Sequence, residues 1–107
     1  MTKKVLIICA GGMSSSVLSK KTTEYFYKKG SDILVEFASA GEGQKSILSG
    51  KYDLYLVSPQ IRMLYKKFEK AGEKAGKPVV NIPPDAYVPT PAGIEKLERI
   101  ILENLLK

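Results

Sequence analysis

The stretch that decides the fold reads Val5-Leu6-Ile7-Ile8-Cys9-Ala10-Gly11-Gly12-Met13-Ser14-Ser15-Ser16-Val17-Leu18. Its aliphatic run predicts a strand buried on both faces, and its serine-rich end predicts the start of a helix. The two glycines between them form a short loop whose backbone can approach an anion closely. The unpaired N–H groups and positive dipole end of the helix favour an anion there, and they favour the thiolate form of a nearby cysteine. We therefore predict chemistry at Cys9, with a phosphoryl group held in the loop.

Cys9 also admits a purely structural interpretation. A single cysteine at the end of a buried strand often packs as a small hydrophobic side chain. The glycine pair can be only a tight turn, and Ser14 or Ser15 can be only the N-cap of the helix. The combination of strand end, cysteine, glycines and serines favours the chemical interpretation.

The composition excludes several kinds of site. The chain has 107 residues, of which 44% are hydrophobic and 26% charged, and this predicts one globular domain spanning residues 1–107. It contains no histidine and one cysteine, which excludes a Cys-His pair, an internal disulfide and a Cys/His zinc site. We expect no metal and no cofactor. No apolar run reaches membrane-spanning length and no signal peptide is recognisable, so we expect a cytoplasmic protein.

The net charge of +6 raises the question of nucleic-acid binding. The lysines, however, are spread along the chain and are not interleaved with aromatic residues in a recognition motif. A solvated basic surface is favoured, and nucleic acid is not an expected partner. The same charge suits docking to an acidic protein or to phosphorylated species.

Predicted strands and helices alternate along the chain. The strands are residues 4–9, 32–38, 52–57 and 77–82. The first helix ends at Gly30. The second follows a turn at 39–43, spans about 44–48 and ends at Gly50. The third spans 61–75 and ends at Gly76. Thr90 caps the last helix, with Pro91 in its first turn. The inner stripe of that helix is Ile94, Leu97, Ile101 and Leu105.

This alternation predicts an α/β fold, an open four-stranded parallel sheet with helices on both faces. In such sheets, ligands bind outside the carboxyl ends of the strands. That edge brings together the Cys9 loop, the turn at 39–43, the Ser58-Pro59-Gln60 turn and the proline-rich loop at 83–90.

The loop after Cys9 resembles the phosphate loop of low-molecular-weight tyrosine phosphatases, in which an arginine stands six residues after the cysteine. Here that position is Ser15, so the planar clamp for a phosphoryl group is missing. No Asp-Pro dipeptide offers a leaving-group acid, and the nearest acid in a proline loop is Asp85. A loop that holds phosphate but cannot hydrolyse it quickly predicts a carrier. The alternatives are a small phosphatase or arsenate reductase, and a flavodoxin-like binding domain with an inert cysteine.

The segment from Cys9 to Leu18 also resembles the active-site signature of enzyme IIB of the bacterial sugar phosphotransferase system, lactose/cellobiose (chitobiose) family. That signature is a cysteine, two or so residues, then Gly-Met-Ser-(Ser/Thr)-Ser and an apolar pair. The length, the alternation, the Ser-Pro-Gln after the third strand and the tyrosine after the fourth also fit. The resemblance implies a flavodoxin-like phosphotransferase. Cys9 would take a phosphoryl group from a histidine of the IIA component and give it to a sugar, such as cellobiose, chitobiose or lactose, entering through the membrane IIC component.

The resemblance also implies roles for other residues. The loop that wraps the phosphate would be Ala10, Gly11, Gly12, Met13, Ser14, Ser15 and Ser16. The serines can equally be caps, and Met13 can be a packing residue. Pro59, Gln60 and Tyr87 would lie near the partner surface, although Tyr87 can instead cover the core. The chain departs from the family pattern after Tyr87, where Val88-Pro89 stands in place of a glycine.

Overall fold

The computed structural model describes residues 3–10 and 13–105, and for residues 13–15 it describes the backbone alone. The strands are β1 (Lys3–Cys9), β2 (Ile33–Ser39), β3 (Leu54–Val57) and β4 (Val79–Asn81). The α-helices are α1 (Met13–Lys28), α2 (Ala40–Ser49), α3 (Tyr65–Ala75) and α4 (Pro91–Leu105). Short 3₁₀ helices cover Pro59–Leu64 and Pro84–Ala86. In the part of the chain so described, no helix is both long enough and apolar enough to cross a bilayer.

The four strands form one parallel sheet in the order β2-β1-β3-β4. Strand β1 lies between β2 and β3, and its residues pair from Lys3 opposite Ile33 to Cys9 opposite Ser39. On the other side, Ile8 lies opposite Val57. The predicted open four-stranded parallel sheet is confirmed.

Helices cover both faces of the sheet, as the sequence predicted. Alternate residues of β1 enter different cores, with Val5 and Ile7 on one face and Leu6 and Ile8 on the other. The first core contains side chains of α1 and α4, among them the predicted stripe residues Ile94, Leu97 and Ile101, with Leu105 packed at its margin. The second core contains Ile47 of α2 and Phe68 of α3.

Two predicted helix starts are wrong. Helix α1 begins at Met13, so Ser14 and Ser15 lie inside its first turn and not at the N-cap. The predicted turn at 39–43 does not exist, because β2 continues to Ser39 and α2 begins at the next residue.

Gly43 lies within α2, where close packing leaves no room for a side chain. A Cβ there would meet Ile8 Cγ2 at 2.9 Å and Phe68 Cε1 at 3.0 Å.

The predicted third helix is divided in two. Pro59–Leu64 forms a 3₁₀ helix in which Ile61 has non-helical angles (φ −122°, ψ 25°), and α3 starts only at Tyr65. The helical spacing of apolar residues from Ile61 onward hid this break, because Ile61 is buried like the α3 residues that follow it.

The predicted helix ends are confirmed. Gly30, Gly50 and Gly76 all have positive φ, between 66° and 78°, the left-handed conformation that glycine adopts without steric cost. The Gly93 N–H donates to Thr90 Oγ1 at 3.2 Å, so Thr90 caps α4, and Pro91 is its first residue. Strand ends differ from prediction by one or two residues, the usual uncertainty of strand boundaries.

Thr23 of α1 bonds to the outer side of β2. Its Oγ1 accepts the Val35 N–H at 2.9 Å and lies 3.1 Å from the Val35 carbonyl oxygen. It also lies 2.9 Å from the Ser19 carbonyl, and the single hydroxyl proton serves one of the two carbonyls at a time. One side chain thus satisfies the Val35 N–H on the side of β2 that has no neighbouring strand.

Gly72→Ala should destabilise the protein, because α3 packs directly on β4 at this glycine. An added Cβ would lie 2.5 Å from Val79 Cγ2 and 2.8 Å from the Lys77 carbonyl oxygen. We expect unfolding free energy to fall by about 1–3 kcal/mol, measured by urea denaturation. Gly41→Ala in α2 is the matched control, since its nearest neighbour would be Ser39 Oγ at 3.9 Å. The control should keep or gain stability, by up to about 1 kcal/mol, and equal losses in both variants would contradict this account of the packing.

Candidate functional site

The candidate site lies at the carboxyl edge of the sheet, where the strands end at Cys9, Ser39, Val57 and Asn81. Because the strands are parallel, the segments that follow all four meet at this edge. The structure therefore brings together the described ends of the Cys9 loop, the Ser58-Pro59-Gln60 turn, the loop at 83–90 and, in place of the turn at 39–43, the first turn of α2.

Cys9 is the last residue of the central strand, as predicted. The side chain is only 2% exposed, and Sγ lies 3.5 Å from the Ala38 carbonyl oxygen on β2. A carbonyl oxygen accepts hydrogen bonds and cannot donate them, so the thiol is held through its S–H. In this conformation the thiol is a hydrogen-bond donor to β2.

Two helices begin beside Cys9. Helix α1 starts at Met13, four residues after the cysteine, and α2 starts at Ala40, directly after the residue that lies opposite Cys9 in the sheet. Each helix start directs N–H groups and the positive end of its dipole toward this edge. The start of α2 was missed in the sequence because Gly41 and Gly43 read as turn residues. The edge is therefore more favourable to an anion than the sequence alone indicated.

The predicted phosphate loop is only partly described. Ala10 is exposed at a bend of the backbone, and Ser16 is half-buried in α1. The predictions for Gly11 and Gly12 lie outside the described residues, as do those for the side chains of residues 13–15. The phosphate-binding roles from Ala10 to Ser16 stay predictions.

The predicted partner residues lie on the same edge. Gln60 is exposed and Pro59 is half-buried at the start of the 3₁₀ helix. Tyr87 is half-buried and packs against the core on the α1 and α4 face. Tyr87 thus covers core, one of the two roles considered for it, and contacts of all three with a partner stay predictions.

Ser58 is a residue of this edge that the sequence identified only as part of a turn. It is fully buried, and its N–H donates to the Ile8 carbonyl at 2.9 Å, directly before Cys9. Its Oγ has no hydrogen-bond partner among residues 3–10 and 13–105. A serine directly after an apolar strand that neighbours the cysteine strand is the sequence signal that could have singled it out.

Asp85 is held in an ion pair with α4. Its Oδ2 lies 2.7 Å from Lys96 Nζ, and the hydrogen bond from Lys96 lowers the pKa of Asp85 below its ordinary value of 3.8. A general acid must carry a proton near neutral pH, so this carboxylate is unsuited to protonate a leaving group. Among the residues that the structure describes, no three or more His, Cys, Asp or Glu side chains are grouped so that they could hold a metal ion.

Asp85→Asn should alter stability only where Asp85 is ionised. In the folded protein the pKa of Asp85 lies below 3.8, so its ion pair with Lys96 stabilises the fold above that pH. This stabilisation is lost as the pH falls through the lowered pKa. Both side chains are more than half exposed, so the effect at neutral pH should be small. Urea unfolding of both proteins at neutral pH and in acid measures it, and a difference that persists in acid would argue against the ion pair.

Comparison with known proteins finds a family model that matches most of the chain. The family model described as PTS system, lactose/cellobiose specific IIB subunit, matches residues 4–99. The oligo-beta-mannoside-specific EIIB component of the PTS system of Bacillus subtilis (strain 168) is 31% identical over 72 residues, covering 67% of this chain and 68% of that protein.

Solved structures agree with the fold. The lactose-specific IIB component domain from Streptococcus pneumoniae superposes with a TM-score of 0.82 at 24% identity, over 97% of this chain and 98% of that one. The solution structure of the cellobiose-specific phosphotransferase IIB component from Borrelia burgdorferi gives a TM-score of 0.74 at 22% identity, over 98% and 93%. At these identities the likeness shows a shared fold.

Proposed function

The chain belongs to the lactose/cellobiose-specific IIB family of the sugar phosphotransferase system, and from that membership we propose that Cys9 is its phosphorylated residue. Membership of this family implies a phosphocarrier role in sugar uptake, and it implies IIA and IIC components as the general kinds of partner. The finer proposal is that Cys9 accepts a phosphoryl group from a phosphohistidine of the IIA component. Cys9 then gives that group to a sugar entering through the membrane IIC component.

The observation that carries this proposal is the position of Cys9. It ends the central strand at an edge where α1 and α2 both begin. The backbone N–H groups of a helix start can stabilise a dianion, and they require no further side chain on this chain. We propose that Ala10 to Ser16 wrap the phosphoryl group, with the amides of the first turn of α1 as donors.

The transfer exchanges one bond at phosphorus in each of two steps. The Cys9 thiol first releases its proton to solvent or to the partner. The thiolate then forms an S–P bond while the P–N bond of the phosphohistidine breaks, and the electron pair of that bond stays on the imidazole nitrogen. A sugar hydroxyl then forms an O–P bond while the S–P bond breaks, and the electron pair returns to sulfur. The hydroxyl proton is released to solvent or to the partner. The chain needs neither a histidine nor a general acid of its own, which agrees with its composition.

The resting contact of Cys9 implies a movement before transfer. The sulfur lies against the Ala38 carbonyl oxygen, and both a thiolate and a phosphoryl group are repelled by that acceptor. We propose that docking of the IIA component accompanies rotation of the Cys9 side chain toward the edge of the sheet. Pro59, Gln60 and Tyr87, which follow β3 and β4, would lie on the docking surface.

The proposed acceptor is a β-linked sugar. The relatives are named for lactose, cellobiose and oligo-β-mannoside, and sugars such as cellobiose, chitobiose and lactose share the β linkage.

We further propose that residues 1–107 act as one IIB-type domain on the cytoplasmic side of the membrane. The phosphatase alternative is weakened by Ser15, which stands in place of an arginine, and by the ion pair that keeps Asp85 ionised.

Cys9→Ser should fold normally and carry no transferable phosphate. The wild-type protein, mixed with a phosphorylated IIA component of this family, should gain the mass of one phosphate, located at Cys9 by mass spectrometry of peptides. The variant should gain none, while circular dichroism shows an unchanged fold. A sample without the IIA component is the control. Phosphate found on another residue of the wild type, or a variant that still passes phosphate to sugar, would exclude the proposed role of Cys9.

A further inference from the structure

Ser58 carries a buried hydroxyl that the fold itself does not use. The residue is 0% exposed, and its Oγ has no hydrogen-bond partner within the described part of the chain. Burying a hydroxyl without a partner lowers the stability of the fold, because the hydroxyl loses its hydrogen bonds to water. Alanine would occupy the same place without that cost, so the hydroxyl indicates a use outside the resting fold.

The sheet places Ser58 beside Cys9. Strands β1 and β3 run parallel with Ile8 opposite Val57, and Ser58 follows Val57 as Cys9 follows Ile8. Ser58 keeps an extended backbone (φ −67°, ψ 154°) and donates its N–H to the Ile8 carbonyl at 2.9 Å, so the pairing continues by one residue.

The pleat places both residues on the same face of the sheet. Side chains alternate along a strand, so Ser58 lies on the face of Leu56, and Cys9 lies on the face of Ile7. Leu56 and Ile7 belong to the same core, the one on the side of α1 and α4. Neighbouring strands are about 4.8 Å apart, which brings the phosphoryl group of a modified cysteine within reach of the serine hydroxyl.

The two strands beside Cys9 offer it opposite chemistry. On the β2 side, the Ala38 carbonyl oxygen lies 3.5 Å from Sγ and can only accept a hydrogen bond, which suits the protonated thiol. On the β3 side, the Ser58 hydroxyl can donate. Phosphoryl oxygens of a dianion are acceptors only, so the phosphorylated side chain is disfavoured near Ala38 and favoured near Ser58.

We propose that Ser58 stabilises the phosphorylated form of Cys9 by donating its hydroxyl hydrogen bond to a phosphoryl oxygen, once the sulfur has turned from Ala38 toward β3. This inference rests on the proposed phosphorylation of Cys9, and it adds a donor from outside the segment between Ala10 and Ser16. Ser58 touches the transferred group but forms and breaks no covalent bond. A hydrogen bond to a dianion is about twice as strong as one between neutral groups, so the gain on phosphorylation can exceed the resting cost.

Ser58→Ala tests the proposal because two measurements should move in opposite directions. Without the unpartnered hydroxyl, the unphosphorylated protein should keep or raise its urea midpoint. Without the donor, the equilibrium ratio of phosphorylated IIB to phosphorylated IIA should fall about tenfold, measured by mass spectrometry of the mixed proteins. The phosphorus NMR resonance of the phosphocysteine should shift as well.

Thr22→Val is the matched control. Thr22 is also fully buried, but its hydroxyl donates to the Leu18 carbonyl at 2.7 Å. This variant should therefore lose stability and keep the phosphorylation ratio and the NMR resonance.

Three outcomes would overturn the inference about Ser58. They are a wild-type ratio in Ser58→Ala, a loss of stability in that variant, and an equal fall of the ratio in Thr22→Val. A wild-type protein that gains no phosphate at Cys9 overturns the proposed function and this inference together. Failure of the inference about Ser58 is therefore seen in the variants, and failure of the proposed function is seen in the wild-type protein.

Discussion

Burial of β1 on both faces is the constraint on which the rest of the structure depends. Val5, Leu6, Ile7 and Ile8 are all at most 2% exposed, and they divide between the two cores. A strand covered on both faces can satisfy its backbone N–H and C=O groups only through strands on either side. That requirement makes β1 central and gives Cys9, its last residue, a neighbouring strand on each side.

The chemical character of the edge follows from how the sheet ends there. The Ala38 carbonyl, in the second-last pair of the β1–β2 ladder, is an acceptor beside Cys9. The N–H groups at the starts of α1 and α2, just beyond the ladder, are donors. In the carrier role that we propose, Cys9 exists with and without the phosphoryl group. The acceptor would then suit the unmodified thiol, and the donors would suit the phosphorylated form.

The sequence predicted those features that local residues determine. The aliphatic run of β1, the ends of helices at Gly30 and Gly76 and the cap at Thr90 follow from nearby residues alone. The features that it missed depend on distant contacts. Gly43 reads as a turn residue until Ile8 and Phe68 are known to press against it. Likewise, the contact of Cys9 with the Ala38 carbonyl and the isolation of the Ser58 hydroxyl depend on what neighbouring strands place around them.

The bond between Thr23 and β2 has a consequence for how the protein behaves at high concentration. An outer strand with free N–H and C=O groups is a template on which another chain can add a strand, the first step of ordered aggregation. Here the hydroxyl of α1 already occupies the Val35 N–H, in the middle of that strand. An incoming chain would have to displace Thr23 before it could pair at Val35, so a single threonine obstructs strand addition at that point of the border.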